Sequence, residues 1–318
     1  MDLKTLHKFV IEKGMEKDPR GKKEVLELLK QEKIKYDKFS QEEKEEYDIE
    51  KLTNPYSDTR ILFSNGNKDI KSVMVGIDIE TPEILLADTL RKNGRRIDLI
   101  VTHHPEGRAY ATFYEVMNMH SDILHKQGVP INIAEALTEP RMLEVSRKVN
   151  PQNHTRAVDA ARLLNLPFMS MHTVADNFVN NYLQKLFDKQ KPNKIEDIMK
   201  ILNNIPEYKH ASKVAKGPTI FVGSKEKKAG KIFVDMTGGT EGSVDAIEKL
   251  AQSGIGTIIG MHMSEEHYKN ASKFHINVVI AGHISSDTLG MNLLFDEIEK
   301  KFGKLDIIEC SGFKRIRR

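Results

Sequence analysis

Residues Ser72–Pro105 read SVMVGIDIETPEILLADTLRKNGRRIDLIVTHHP, and this stretch decides the fold class. "SVMVGIDI" is short, mostly apolar and rich in β-branched residues, which marks a buried strand. "TPEILLADTLRKNG" then has Thr81 as a candidate N-cap, Pro82 at the first helical position and Gly94 as the stop. "IDLIV", Ile97–Val101, is the next strand. Strand, helix and strand in about 30 residues form a βαβ unit, whose parallel strands are buried on both faces. His103 and His104 therefore follow the carboxyl end of a parallel strand, the edge where open α/β sheets bind ligands. On a regular strand two adjacent side chains point to opposite faces. Past the strand end that alternation lapses, and Pro105 holds His104 extended and removes the next ladder donor, so both rings can enter one crevice.

The same plan recurs near the C-terminus. "GKIFVD", Gly230–Asp235, reads as a strand, "MTGGTEG" as a Gly-rich turn, "SVDAIEKLAQSG" as a helix and "IGTIIG" as a strand. A helix through "SEEHYKNASKF" leads to "INVVIAGH", which places His283 after a further buried strand. The last helix carries Met291, Leu294, Phe295, Ile298 and Phe302 on one face. The expected architecture is thus α/β, with two segments of parallel-rich sheet built on a similar plan. The expected divisions are a charged helical lead-in at 1–55, a first half at 56–178, a polar helical insertion or lid at 179–216, and a second half at 217–318. Within the first half, "VPINIAEAL" and "LPFMSMHT" read as short strands.

Bulk composition narrows the class. The 318 residues can bury a substantial core, and 39% hydrophobic with 30% charged residues describes a globular chain. No apolar run approaches the ~20 residues of a bilayer span. The first residues lack the apolar stretch of a signal peptide, so the expectation is a cytoplasmic protein with no membrane partner. The net charge of +3 argues against nucleic-acid binding. "FKRIRR", Phe313–Arg318, is the compact basic cluster, either a solvated tail or a phosphate site. More than half of the first 50 residues are charged, with apolar positions at helical spacing, which indicates packing or oligomer contact rather than chemistry.

With the single cysteine Cys310, a metal here would sit on His and carboxylate ligands. Eleven of the twelve histidines fall at or after His103, and His103, His104, His172 and His283 lie at expected strand ends. Asp176 follows His172 by four residues and Asp287 follows His283 by four. Asp287 is either a ligand or, with Ser285 and Ser286, a helix N-cap. Three of these histidines with the two carboxylates suit zinc, manganese, iron or cobalt. Five ligands exceed what one catalytic zinc takes, so a pair of ions is the better use of them.

"GIDIETPEILLADTLRKNGRRIDLIVTHHP", "HTVAD" and "AGHISSDTLG" together resemble the Ngg-interacting-factor family, the dinuclear-metal proteins labelled GTP cyclohydrolase I type 2-like. The resemblance covers residues 70 to 310 in outline. It implies His103, His104, Asp176 and His283 as metal ligands, with Asp287 standing where the family has a glutamate. Glu135 and Glu139 are rivals for the part of Asp176. It further implies two related halves around a buried pair of divalent ions and assembly as a homohexamer. The activity expected is a metal-dependent hydrolase using a metal-bridged hydroxide, with Glu106, His262 or Glu265 transferring protons. GTP ring opening has little support, because "TGGTEG" lacks a nucleotide-binding pattern and no aromatic cluster suits a base. The alternative is a non-catalytic metal-binding scaffold or regulatory protein.

Overall fold

In the computed structural model, which describes residues 1–66 and 69–318, alternate residues of the strands feed different cores. Strand β1 is Thr59–Phe63, β2 Ser72–Gly76, β3 Leu99–Thr102 and β4 Phe168–Met171. Val73, Val75, Leu99, Val101 and Met171 join the main apolar cluster, while Met74, Ile100 and Phe168 face a second one. A sheet covered on both faces needs such continuous apolar runs. With β9 (Asp306–Glu309) the order is β1-β4-β3-β2-β9, parallel throughout except for β1.

The second sheet repeats the design. Strands β5 (Thr219–Val222), β6 (Lys231–Asp235), β7 (Ile255–Gly260) and β8 (Asn277–Ile280) lie in the order β5-β8-β7-β6, again with one antiparallel edge, β5. Phe233, Ile258 and Val278 point into the main cluster shared with the first sheet. Val234, Ile259 and Val279 point outward to another. The two expected α/β halves with parallel-rich sheets are therefore present, and the shared cluster joins them.

Helices α1 (Leu3–Lys17), α2 (Lys22–Asp37) and α3 (Gln41–Glu46) form the charged lead-in. Leu3, Leu6, Val10 and Ile11 of α1 enter the main core, so this segment is packed against the body. The crossover of the first βαβ unit is α4, Thr81–Lys92. Glu80, not Thr81, precedes it, and the Glu80 N–H donates to the Glu83 carboxylate at 2.9 Å. Next come α5 (Gly107–Ala111), α6 (Met119–Lys126), α7 (Ile131–Val149) and α8 (Arg156–Leu163).

"VPINIAEAL", which reads as a short strand, is instead the start of α7. Ala134 and Thr138 are the buried positions there, four apart, and the Ala-Glu-Ala-Leu run favours helix. Residues 179–216 belong to α9 (Thr173–Gln190), α10 (Ile195–Asn203) and α11 (Pro206–Val214). Rather than lying over the surface as a lid, they bury Leu183, Phe187, Ile198, Leu202 and Tyr208 against Val234, Ile259 and Val279 of the second sheet. The expected boundary at 178/179 falls inside α9, and β9, from the expected second half, pairs with β2 of the first sheet.

After α12 (Ala246–Gln252) and α13 (Glu265–Lys273), α14 (His283–Phe302) packs along α9. Gly290 permits the contact: a Cβ there would stand 2.4 Å from the Ala175 carbonyl oxygen of α9. The basic C-terminus is docked rather than solvated. Arg315 Nη2 reaches Asp296 at 2.6 Å and Glu299 at 2.8 Å, and Arg318 reaches Glu207 at 2.6 Å. Among the described residues no helix is long and apolar enough to cross a membrane.

Candidate metal centre

Each side chain of the site leaves the carboxyl end of a parallel strand or the first turns of the helix after it. The His103 N–H donates to Gly76 O at 3.0 Å and the His104 N–H to Ile77 O at 2.9 Å. The backbone beyond β3 is thus pinned to the end of β2, and the rings fall on one side. His172 caps α9 and Asp176 lies one turn on. Gly282, with φ at 114°, turns the chain out of β8 into α14, so His283 and Asp287 share one helical face. Asp287 is therefore inside α14 and is not its cap. The glycine contact between α9 and α14 then brings Asp176 and Asp287 to the same spot.

The ring nitrogens have assigned tasks. His103 Nδ1 lies 3.2 Å from Met171 O, His104 Nδ1 2.6 Å from Asp78 Oδ1, and His172 Nδ1 2.8 Å from Asp58 Oδ2. Each partner is an acceptor, so each Nδ1 carries a hydrogen and each Nε2 is the atom facing inward, the one that offers a lone pair to an ion when its proton leaves. There, His103 Nε2 stands 3.4 Å from Asp176 Oδ1 and 3.5 Å from Asp287 Oδ1. The other oxygen, Asp287 Oδ2, stands 3.4 Å from His104 Nε2 and 3.6 Å from His283 Nε2. His104 and His283 bring their Nε2 atoms within 3.3 Å, and His172 Nε2 is 3.7 Å from Asp176 Oδ2.

Donor atoms bonded to one ion at about 2.0–2.2 Å stand about 3–3.6 Å from each other, which is the spacing seen here. Asp176 Oδ1 and both Asp287 oxygens are buried with no hydrogen-bond partner among the described residues. A buried carboxylate without a donor is expensive. Divalent cations supply what it lacks, so the donor set fits metal ions. Two groups qualify: His103, His172 and Asp176, and His103, His104 and Asp287.

Electrostatics agree. Burial alone would lower the pKa of His103, but Asp287 and Asp176 hold it well above its ordinary value. His104 is likewise raised to about 9, against burial, by Asp287 and Asp78. Asp287 is held far below the usual carboxylate range although burial opposes this, because His103 and His104 face it. Burial pushes His283 downward. The carboxylates demand positive charge, and ions or protons can provide it.

His103 is 1% exposed and His172 6%, whereas the His104 and His283 side chains keep 26% and 41%. The cluster is closed on one side and open on the other. Beside it lies a cavity of about 100 Å³ lined by His172, Asp176, His283 and Asp287 and by the turn after β6. That turn is "TGGTEG", with φ of 99° at Gly238 and 89° at Gly239. His120 Nε2 donates to Gly238 O at 3.0 Å or Thr240 O at 3.1 Å, which fixes the turn's shape.

The expected proton-transfer groups diverge. The His262 ring centroid is 4.8 Å from that of His283, and its Nδ1 is 3.4 Å from Glu241 Oε1. Glu106 follows the HHP segment, and burial raises it to about 7. Glu265 is out of the site: it is exposed on α13 and pairs with Lys269 at 3.5 Å. Glu135 and Glu139, the rivals of Asp176, point to solvent from α7. Sequence reasoning left three participants unassigned: His172 as a donor, and Asp58 and Asp78 as supports of His172 and His104. Asp58 lies 114 residues from the ring it holds, so spacing gives no sign of it.

No family model matches the chain, and no curated protein matches it. Solved structures do. A NIF3 superfamily protein from Sphaerobacter thermophilus is 27% identical, with a TM-score of 0.69 over 80% of this chain and 91% of that one. HcgD from Methanocaldococcus jannaschii, in its reduced form, is 18% identical, with a TM-score of 0.48 over 77% and 85%. The Staphylococcus aureus hypothetical protein SA1388 is 14% identical, with a TM-score of 0.45 over 80% and 89%. The HHP, HTVAD and GHISSD segments, their convergence on one centre, and the match to the Sphaerobacter protein together place this chain in the NIF3 superfamily.

Proposed function

We propose that the chain is a metal-dependent hydrolase holding two divalent ions, with Asp287 shared between them. The observation that carries this reading is the Asp287 carboxylate: both oxygens are buried without a hydrogen bond, one facing His103 Nε2 and the other His104 and His283 Nε2. His103, Asp176 and His172 would serve one ion, and His104 and His283 the other. Zinc, manganese, iron and cobalt all suit these donors. When bound, the pair supplies Lewis acidity and an activated water. The chain's own part is to orient the imidazoles through Asp58, Asp78 and Met171 O, and to leave the His104–His283 side open to a substrate. His262, held by Glu241, is the residue placed to hydrogen-bond a bound substrate beside His283.

A screen of amide and phosphoester substrates tests the proposal. Turnover that disappears on chelation and returns with metal supports it. Turnover that survives complete metal removal contradicts it.

A second reading has its own support. The ligands come from both halves, with His103, His104 and Asp176 beside the first sheet and His283 and Asp287 beside the second. Ions there would also staple the halves, as in a scaffold. Chelation that abolishes folding or assembly favours the scaffold, and chelation that abolishes only turnover favours the hydrolase. GTP ring opening finds no support in the cleft, since among the described residues no Lys or Arg lines it to receive phosphates. Homohexameric assembly and a cytoplasmic location complete the proposal.

A further inference from the structure

The cleft beside the metal centre is unusual in its charge. It is lined by carboxylates, imidazoles, hydroxyls and an apolar floor that includes Phe233, Ile258 and Met263, and among the described residues no Lys or Arg lines it. Two of its carboxylates, Asp176 and Asp287, belong to the metal centre. A third, Glu241, is engaged: its Oε1 accepts the Ser264 N–H at 2.7 Å, and His262 and His267 approach at 3.4 and 3.6 Å. The fourth is Asp235, the last residue of β6, which no hydrogen bond satisfies among the described residues. Burial raises the pKa of Asp235, opposed by His120 and His267. A carboxylate in that position gains from an N–H or cationic donor.

Size limits the partner. A cavity of about 100 Å³ is of the order of the apolar cavities, about 150 Å³, that accept one benzene ring.

We propose that this cleft binds a small nitrogen base, an amine, amidine or N–H heterocycle of about one ring, with its N–H group donated to Asp235 and its apolar face on Phe233 and Ile258. The proposal rests on the hydrolase reading for the purpose of the site and narrows its substrate to basic or N–H-bearing compounds, excluding nucleoside triphosphates.

Benzamidine is the probe, with benzyl alcohol as its uncharged counterpart and GTP as the phosphate-bearing competitor. Calorimetric titration of zinc-loaded wild type and Asp235→Asn should show one benzamidine site per chain. Binding should be about tenfold or more weaker in the variant, the effect of losing one charge-assisted hydrogen bond. Wild type alone should prefer benzamidine to benzyl alcohol by at least about tenfold, an outcome independent of how the variant folds. Equal binding in wild type and variant overturns the proposal, as does equal binding of the two probes or displacement of benzamidine by stoichiometric GTP. Zinc content measured on the same samples separates the two readings. Two zinc ions with benzamidine indifferent to Asp235 sink the ligand assignment alone. No zinc with benzamidine still dependent on Asp235 sinks the metal reading alone.

Discussion

Replacing Gly290 by alanine should weaken both the fold and the metal site, against the ordinary preference of helices for alanine. In a helix interior Gly→Ala gains about 1 kcal/mol by propensity. Here the new Cβ would stand 2.4 Å from Ala175 O and 2.9 Å from its carbonyl carbon. Ordinary Cβ contact begins at 3.4 Å, so α14 and α9 must part by roughly 1 Å, at an overpacking cost of about 1–3 kcal/mol or more. Backbone offers no flexible end to yield, so the cost outweighs the propensity gain. Asp176 and Asp287 ride on these two helices, and their oxygens lie 3.4 and 3.5 Å from one His103 nitrogen. Metal–ligand distances tolerate only about 0.2 Å. The expected result for Gly290→Ala is a melting temperature lower by a few degrees in the metal-free protein, together with zinc affinity reduced about tenfold or more. Thermal melts of the metal-free and loaded protein, with a chelator competition titration, measure both. A variant as stable as wild type with undiminished affinity would refute the helix-apposition argument.

Asp58→Asn removes the carboxylate that accepts from His172 Nδ1 at 2.8 Å and from the Thr173 hydroxyl at 2.6 Å in a fully buried site. The expected loss is about 1–3 kcal/mol in urea unfolding and about 10–100-fold in metal affinity. Glu299 gives a pH prediction. Its carboxyl is lowered to about 2, against burial, by Arg317 and Arg315. A depressed folded pKa stabilises fully above the unfolded value near 4.5, and that stability is lost as pH falls through the folded value near 2. After allowance for solvent screening this is worth about 1–2 kcal/mol. Wild type should therefore lose more stability than Glu299→Gln between pH 6 and pH 3 in urea melts, and equal losses would exclude the link. His104, raised to about 9, carries a proton at neutral pH in the metal-free protein, so zinc uptake at pH 7.5 should release protons. Calorimetry in buffers of different ionisation enthalpy reads that release, and an enthalpy independent of buffer would contradict it.

What could be read in advance followed strand ends. His103, His104 and His283 each come directly after an apolar β-branched run, and the i, i+4 spacing of His283 and Asp287 survives on one helical face. The lost information is of other kinds. Asp58 and Asp78 support imidazoles through contacts 114 and 26 residues long in sequence, which no local pattern encodes. Isoleucines 131 and 133 mimic strand alternation, yet the buried positions in the first half of α7 are Ala134 and Thr138, small residues with little hydrophobic signal. Glu265 had the right chain position beside β7, but α13 turns it to solvent. The C-terminal cluster looked solvated because its acceptors, Asp296, Glu299 and Glu207, come from distant turns of α14 and α11.

The most direct test of the shared-carboxylate centre is metal content per chain, by elemental analysis, of wild type and Asp287→Ala after identical reconstitution, with circular dichroism confirming the fold of both. Wild type should hold about two ions and the variant no more than about one, because both ions lose the same ligand. Wild type that holds no ion, or Asp287→Ala that retains two, would contradict the shared-carboxylate centre.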